Sequence, residues 1–427
     1  MNETKKESAL TGWSWVPSLY FAEAVPYIIV NIVSVVMYKN LGLSNTDIAL
    51  YTSWLYIPWI IKPFWSPLVD LFKSKRSWVI ITQLFIGGGL ASLALTIQAD
   101  SFVQYTLAFF WLIAFGSATH DIAADGFYMI GLSQSKQAFF VGIRNTFYRI
   151  GNWFCQGVLV MLVGYIQEIT NMKFAWSVAM GISAILFILF FIYHNKVLPP
   201  EKPVDDTDEK NLTKTFLKTF VSFFKKKEIG LILTFLLIYR LGEAQLVKIA
   251  SPFFLDAREA GGLGLDNIQL GFINGTVGLV ALTIGGILGG FAASRKGLKY
   301  WIWWMLIAIN LPDAVYIYLS IFQPHSLGII SGCVAIEQFG YGFGFTAYVL
   351  FMIYVSNGEH KTSHYAISTG FMALGMMLPG LVSGWLQETI GYQLFFLWVM
   401  IATIPAFIIT KYVKIDPEFG KKTETKS

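Results

Sequence analysis

The feature that most constrains this chain is a succession of apolar runs, each about as long as a bilayer core is thick. A helix crossing roughly 30 Å of hydrocarbon takes about 20 mainly apolar residues. Runs of that kind lie near 14–38, 47–69, 77–99, 102–130, 138–166, 174–195, 229–254, 267–293, 299–321, 326–355, 363–387 and 392–412. Inside hydrocarbon a backbone amide finds no water, so a run of this length satisfies its polar groups only by becoming a helix. Composition agrees. Of the 427 residues only 13% are charged, where a soluble domain carries about 25%. The chain reads as an all-α membrane protein with twelve transmembrane helices.

Lysine and arginine orient the spans, because loops on the cytoplasmic side collect them. With both termini cytoplasmic, the positives fall in the tails, the 2–3 loop, the central loop and the 8–9 loop. Only Lys39, Lys173 and Arg258 then occupy loops on the other face. The net charge of +5 follows from this topology and implies no nucleic-acid partner. Cys155 and Cys333 both sit in apolar runs, as small packing residues do. No cleavable leader is expected, since the first run holds Glu23 in its interior.

The longest hydrophilic stretch, 196–228, divides the chain into an N-terminal six-helix bundle (1–195), a linker and a C-terminal six-helix bundle (229–427). The linker holds an acidic run, Asp205 to Glu209. A Lys- and Phe-bearing amphipathic piece (212–227) follows, read as a surface helix at the headgroups. Pro26, Pro58, Pro312 and Pro379 lie inside spans and should bend them. Glycine pairs such as Gly285-Gly286 and the series Gly340, Gly342, Gly344 suit close helix approach.

An ionisable side chain at the bilayer centre costs at least about 2.5–3.5 kcal/mol, so each one retained is a candidate for function. Glu23, Asp121, Arg149, Arg240 and Glu337 count to the middle of their runs. Glu243 follows Arg240 at i+3 and shares its face. Asp121 and Asp125 are one turn apart. Arg144 and Arg149 are five apart, about 140° around a helix, so both cannot face the aspartates. Arg144 matches Asp125 in depth, which predicts an Asp125–Arg144 ion pair with a structural or gating role and leaves Arg149 for a substrate. Asp121, beside His120, is the first candidate for carrying a proton, with Glu23, Glu243 and Glu337 behind it. Arg149 and Arg240 are the candidate contacts for an anionic substrate, and Tyr20, Tyr27, Trp54 and Tyr148 could stack on sugar rings. Asp313, beside Pro312, is expected to satisfy backbone freed by the proline. Lys248 is expected at a gate or outer contact. No cofactor is implied. His360 and His364, at i, i+4, are the one pair with metal-like spacing, and no metal site is expected there.

The 2–3 loop reads Ser66-Pro67-Leu68-Val69-Asp70-Leu71-Phe72-Lys73-Ser74-Lys75-Arg76. Gly289-Gly290-Phe291-Ala292-Ala293-Ser294-Arg295-Lys296-Gly297 stands at the same place in the second half. This repeat resembles the cytoplasmic loop signature of the major facilitator superfamily. The resemblance implies two six-helix bundles that alternate access to a midplane site, with spans one, four, seven and ten lining it. It also implies gating roles for Asp70 and the basic residues after it, including Arg76.

Three segments narrow the resemblance: Tyr20-Phe21-Ala22-Glu23-Ala24-Val25-Pro26, the Lys62-to-Asp70 junction, and His120-Asp121-Ile122-Ala123-Ala124-Asp125-Gly126. Together they are similar to AmpG-type muropeptide permeases, the facilitator branch that also contains acetyl-CoA transporters. Lys62, Trp65, Pro67, Leu68, Asp70, Asp121 and Asp125 match that pattern. Glu23, Pro63 and His120 depart from it, and the second half matches by architecture alone. The resemblance implies a non-enzymatic, proton-coupled symporter, a monomer in the bacterial inner membrane, importing anhydromuropeptides or related anionic amino sugars in peptidoglycan recycling. The alternative is a sugar or oligosaccharide importer. A drug exporter and a membrane-embedded transferase stand behind these.

Overall fold

The computed structural model describes residues 10–201, 218–358 and 360–421, and among them all regular structure is helical. Ten stretches of the described residues are individually long and apolar enough to cross a bilayer. Each overlaps a predicted run, and two local breaks account for the other two runs. The stretch Ser363–Tyr412 holds two passes, because the helix Lys361–Ala402 leaves helical geometry at Gly391 (φ 77°, ψ 167°). That backbone region is open to glycine and closed to most other residues. The run predicted at 47–69 is built from two helices, Asn45–Trp54 and Ile57–Phe72. The interruption falls just before Pro58, which has no N–H to give the carbonyl of Trp54 and crowds it sterically.

Other prolines act the same way. Pro26 lies in Val16–Ile28, and the first span continues through a π-turn, Ile29–Val33, into Ser34–Asn40. The ninth span runs Leu298–Asn310, tightens into a 3-10 turn at Leu311–Ala314 around Pro312, and resumes as Val315–Phe322. The seventh is split between Ile229–Ile238 and Leu241–Leu255.

The chain forms two compact units. One comprises Met1–Ile32 and Phe64–Glu209, the other Val33–Pro63 and Lys210–Ser427. The segment 33–63 thus packs with the C-terminal helices, which a boundary drawn at the linker does not anticipate. Polar contacts inside the second unit hold it there. Asn45 donates from Nδ2 to Gln387 Oε1 (2.6 Å) and its backbone N–H to Glu388 Oε1 (2.7 Å). Lys39 pairs with Asp256 at 2.6 Å. The Glu388 carboxylate therefore sits at the N-terminus of Asn45–Trp54, where it meets unsatisfied amides and the positive end of the helix.

Of the predicted linker helix, the part before residue 218 lies outside the described residues. Residues 218–224 are helical, and they dock on the second unit rather than lying only against headgroups. Phe223 is fully buried with its ring against His364, and Ser222 Oγ lies 2.9 Å from His364 Nε2. Lys226 donates to the carbonyls of Val355 and Asn357 at the end of span ten, and partial burial holds its amine below the ordinary lysine range.

The first unit is cored by Trp15, Leu19, Val79, Ala123, Phe127 and Phe140. The second is cored by Phe235, Tyr239, Met305, Ile309, Tyr348 and Phe351. Span ten, Leu327–Ser356, uses its glycines on two faces. A Cβ at Gly342 would run into the Leu282 carbonyl of span eight, and one at Gly340 into the Ala308 carbonyl of span nine. At Gly332 an added Cβ meets nothing within 4 Å. Overpacking costs about 1–3 kcal/mol or more where the obstacle is backbone. Gly342→Leu should therefore lower the thermal midpoint of the detergent-purified protein, and Gly332→Ala should leave it in place. Equal midpoints for all three proteins would contradict this packing.

Candidate functional site

In the first unit three spans meet at Asp125. It lies on Phe102–Gly131, Arg144 on Gln134–Trp153 and Tyr20 on Val16–Ile28. Arg144 Nη2 is 3.0 Å from Asp125 Oδ1, and the Tyr20 hydroxyl donates to the same oxygen at 3.0 Å. The Arg144 guanidinium also lies over the Tyr20 ring (4.3 Å) and the Tyr128 ring (5.1 Å). Asp125 and Arg144 are partly exposed, at 41% and 25% of their side chains. The pair links spans four and five. Tyr20 was expected to offer its ring to a sugar. Instead it is buried, with Arg144 over its face and its hydroxyl on Asp125.

Arg149, beyond the reach of this cluster, makes no ion pair among the described residues, and its Nη1 is buried without a hydrogen-bond partner. Tyr148 beside it lies within electrostatic range of Tyr27, Glu23 and Asp121. The structure thus gathers Glu23, Tyr27, Asp121, Tyr148 and, one turn on, Asp125 on one side of the unit. Arg76 is elsewhere. It donates to the carbonyls of Asn195 (2.5 Å) and Leu198 (3.1 Å), satisfying the last turn of span six. The Asp70 side chain lies outside the described part, so its gating role stays an expectation.

Sequence reasoning missed a buried polar chain behind Asp121. Gln83 Nε2 lies 3.1 Å from His120 Nε2 and 2.8 Å from His194 Nδ1, and His194 Nε2 lies 2.9 Å from Ser18 Oγ. Ser18 in turn donates to the Trp15 carbonyl. With the Gln83 amide donating to both rings, these contacts tie spans one, three, four and six together, and His120 Nδ1 is left buried without a hydrogen-bond partner. Gln83 and His194 stand alone in apolar runs, and no spacing in the sequence links them.

In the second unit the interruption of span seven positions its ion pair. Arg240 is the residue before Leu241–Leu255, and Glu243 lies in that helix's first turn, where a carboxylate is favoured. Arg240 donates to Glu243 twice, Nε to Oε2 at 2.5 Å and Nη2 to Oε1 at 2.8 Å, and once to the Tyr341 hydroxyl at 3.0 Å. Both are buried. Arg240 was expected to face a substrate and Glu243 to carry a proton; in this structure each is the other's partner. Glu337 is buried on span ten and accepts one hydrogen bond, from Gln338 (2.9 Å). Lys248 is buried, donates to Thr52 Oγ1 at 2.9 Å and lies 5.0 Å from the Tyr56 ring. Trp54 is exposed.

Asp313 corrects an expectation. Its two carboxyl oxygens are buried and neither has a hydrogen-bond partner, so it does not satisfy backbone freed by Pro312. The chain tightens there into a 3-10 turn, in which the Val315 N–H bonds the Pro312 carbonyl.

The helical topology and these intramembrane charges are those of a solute transporter, and residues 18–356 match the family model described as Major Facilitator Superfamily. The chain belongs to the major facilitator superfamily. It is 28% identical over 390 residues to "Putative transporter AmpG 4" of Rickettsia conorii, spanning 87% of this chain and 89% of that one. It is 25% identical over 377 residues to the "Anhydromuropeptide permease" of Escherichia coli K12, spanning 86% and 74%. Among solved structures, the nucleoside transporter NupG aligns over 96% of this chain and 99% of its own with a TM-score of 0.70 at 17% identity. A D-xylose–proton symporter aligns over 95% and 98% with a TM-score of 0.65 at 11% identity. At those identities the structures speak to the fold alone. This is a multi-pass membrane protein of the facilitator class.

Because Asp125 and Arg144 share one oxygen-centred contact, Asp125→Asn and Arg144→Gln should be non-additive in transport rate, with a coupling of about 0.5–3 kcal/mol. Additive losses would dissolve the functional pair.

Proposed function

We propose that this protein is a proton-coupled importer of peptidoglycan fragments, anhydromuropeptides or their amino-sugar relatives. It works by alternating access in the bacterial inner membrane, with both termini in the cytoplasm. The observation that carries the reading is the similarity, over more than four-fifths of this chain, to relatives named AmpG transporter and anhydromuropeptide permease. The Lys and Arg distribution supports the orientation. The residues support an acidic substrate. Arg149 is the intramembrane arginine of the first unit that Asp125 leaves unengaged, and a guanidinium with donors to spare matches a carboxylate in geometry and charge. Asp121 then carries the coupling proton, with Glu23 in the same unit and Glu337 in the second unit as further candidate carboxyl groups. Tyr27 and Tyr148 supply aromatic faces. Asp125, Arg144 and Tyr20 steady spans one, four and five around them.

A neutral sugar or oligosaccharide is the second reading. The pairing of Arg240 with Glu243 favours it, since that pair removes one cation from substrate recognition. The two readings part at Arg149.

The test is uptake into liposomes under an inward proton gradient, comparing an anhydromuropeptide with an analogue whose stem carboxylates are amidated. Arg149→Ala should weaken the anionic compound about 10- to 100-fold more than the neutral one, the range of a charge-assisted hydrogen bond. Equal loss for both would make Arg149 structural and favour the neutral substrate. Asp121→Asn should remove gradient-driven accumulation while part of the substrate exchange persists. Undiminished accumulation would take Asp121 out of the coupling.

A further inference from the structure

Span nine holds a group of acceptors that the roles above do not use. Asn310 is buried, and its amide Nδ2 donates to the Leu306 carbonyl at 2.8 Å. That bond fixes the side chain and leaves Oδ1, which has no hydrogen-bond partner. Asp313 follows three residues later through the 3-10 turn Leu311–Ala314. A 3-10 helix has three residues per turn, so Asn310 and Asp313 stack on one side of it. Both Asp313 oxygens are likewise buried and unpartnered, and the residue is 2% exposed.

Span ten brings a second carboxyl group to this place. It runs antiparallel to span nine in close backbone contact, with Gly344 against Met305 and Ile309 and Gly340 against Ala308 and Pro312. Continuing that register by one turn sets Glu337, three residues before Gly340, level with Asp313. The two lie within electrostatic range of one another, and Glu243 is in range of both.

The surrounding charges do not neutralise this pair. On span seven, Arg240 is bound twice by Glu243, and Lys248 donates to Thr52. On span ten, Cys333 is a weak acid and Tyr341 accepts from Arg240. On span nine, Tyr316 carries a neutral hydroxyl in range of both carboxyl groups. On span twelve, Tyr392 donates to Asp256 and Gln393 to the Ser320 carbonyl. Asp313 and Glu337 thus lie level with one another and within electrostatic range, and no cation among the described residues is bonded to either. Two neighbouring carboxylates without a counter-charge cannot both ionise cheaply. A buried acceptor without a donor is expensive in its own right.

We propose that Asn310, Asp313 and Glu337 form a cation-binding site in the second unit whose ligand is a proton. The proton sits on the Asp313–Glu337 carboxyl pair, and Asn310 Oδ1 accepts the hydrogen bond of the protonated acid. Loading transfers the proton from hydronium to a carboxylate oxygen and leaves water; release reverses it. The site would give the C-terminal half its own proton store. As a coupling element it rests on the proton-coupled reading above. As a protonated carboxyl pair it does not.

Two measurements keep these levels apart. An infrared pH titration of the purified full-length protein detects the carbonyl stretch of a protonated buried carboxyl group without any transport. Asp313→Asn should remove that band or shift its midpoint, and Asp313→Glu should retain it. A wild-type protein whose band is unchanged in Asp313→Asn overturns the site. Displacement of the band by sodium at constant pH would make it a sodium site and also overturn the proposal. In proteoliposomes, Asp313→Asn should lose gradient-driven accumulation by a larger factor than it loses substrate counterflow. Accumulation equal to wild type would deny the site any part in coupling. If Asp313→Asn does not fold, Glu337→Gln takes its place in both assays with the same expected losses. Absence of gradient-driven uptake in the wild type would sink the transport reading and leave the infrared result to decide the site.

Discussion

The penalty for an unbalanced charge in hydrocarbon organises this protein. Each intramembrane ion must find a partner, give up its charge or face water, because none of the alternatives is affordable at several kcal/mol per group. The two ion pairs answer this in different ways. Arg240 and Glu243 are buried and joined by two hydrogen bonds, so removing either would leave the other as an uncompensated charge. Asp125 and Arg144 are more exposed, and their pair gains from the Tyr20 hydroxyl and from two aromatic faces beside the guanidinium. What is left over after such pairing supplies the solute and proton contacts proposed above.

The backbone obeys the same rule, and its breaks decide where the side chains go. A proline removes a hydrogen bond and forces the chain into a tighter or looser turn. The 3-10 turn at Leu311–Ala314 around Pro312 aligns Asn310 with Asp313. The interruption after Ile238 makes a helix N-terminus inside the membrane and puts Glu243 in its first turn. The break before Pro58 separates Asn45–Trp54 from Ile57–Phe72, and the first of these helices is fastened by Gln387 and Glu388. In the first two of these, irregular geometry sets where a polar side chain stands within its span.

Much of this was legible in the sequence, for definite reasons. Apolar run length is a direct physical requirement of the bilayer, so all twelve runs emerge as helices, and the facilitator fold follows from their number and from the repeated basic loop. Counting residues from a span end locates depth at about 1.5 Å per residue, which brought Asp125 and Arg144 to one level. Rotation about the helix axis is not legible in the same way. It depends on packing between spans, so the sequence does not tell that Tyr20 bonds Asp125 or that Arg240 pairs with Glu243. Partners distant in sequence were invisible too: Gln83 with His120 and His194, or Asn45 with Gln387, have no local signature. Pro312 suggests a backbone need for Asp313 to meet, but the carboxyl oxygens of Asp313 make no hydrogen bond, which only the packing reveals.

The central claim is that substrate entry and proton entry are one event. It is tested most directly by reconstituting the wild-type protein in liposomes that enclose a pH indicator, with no gradient imposed, and adding anhydromuropeptide outside. Symport predicts that the lumen acidifies as labelled substrate enters, in fixed proportion to it, and that a protonophore abolishes the acidification. Substrate entry at the same rate with a lumen of constant pH would contradict the account.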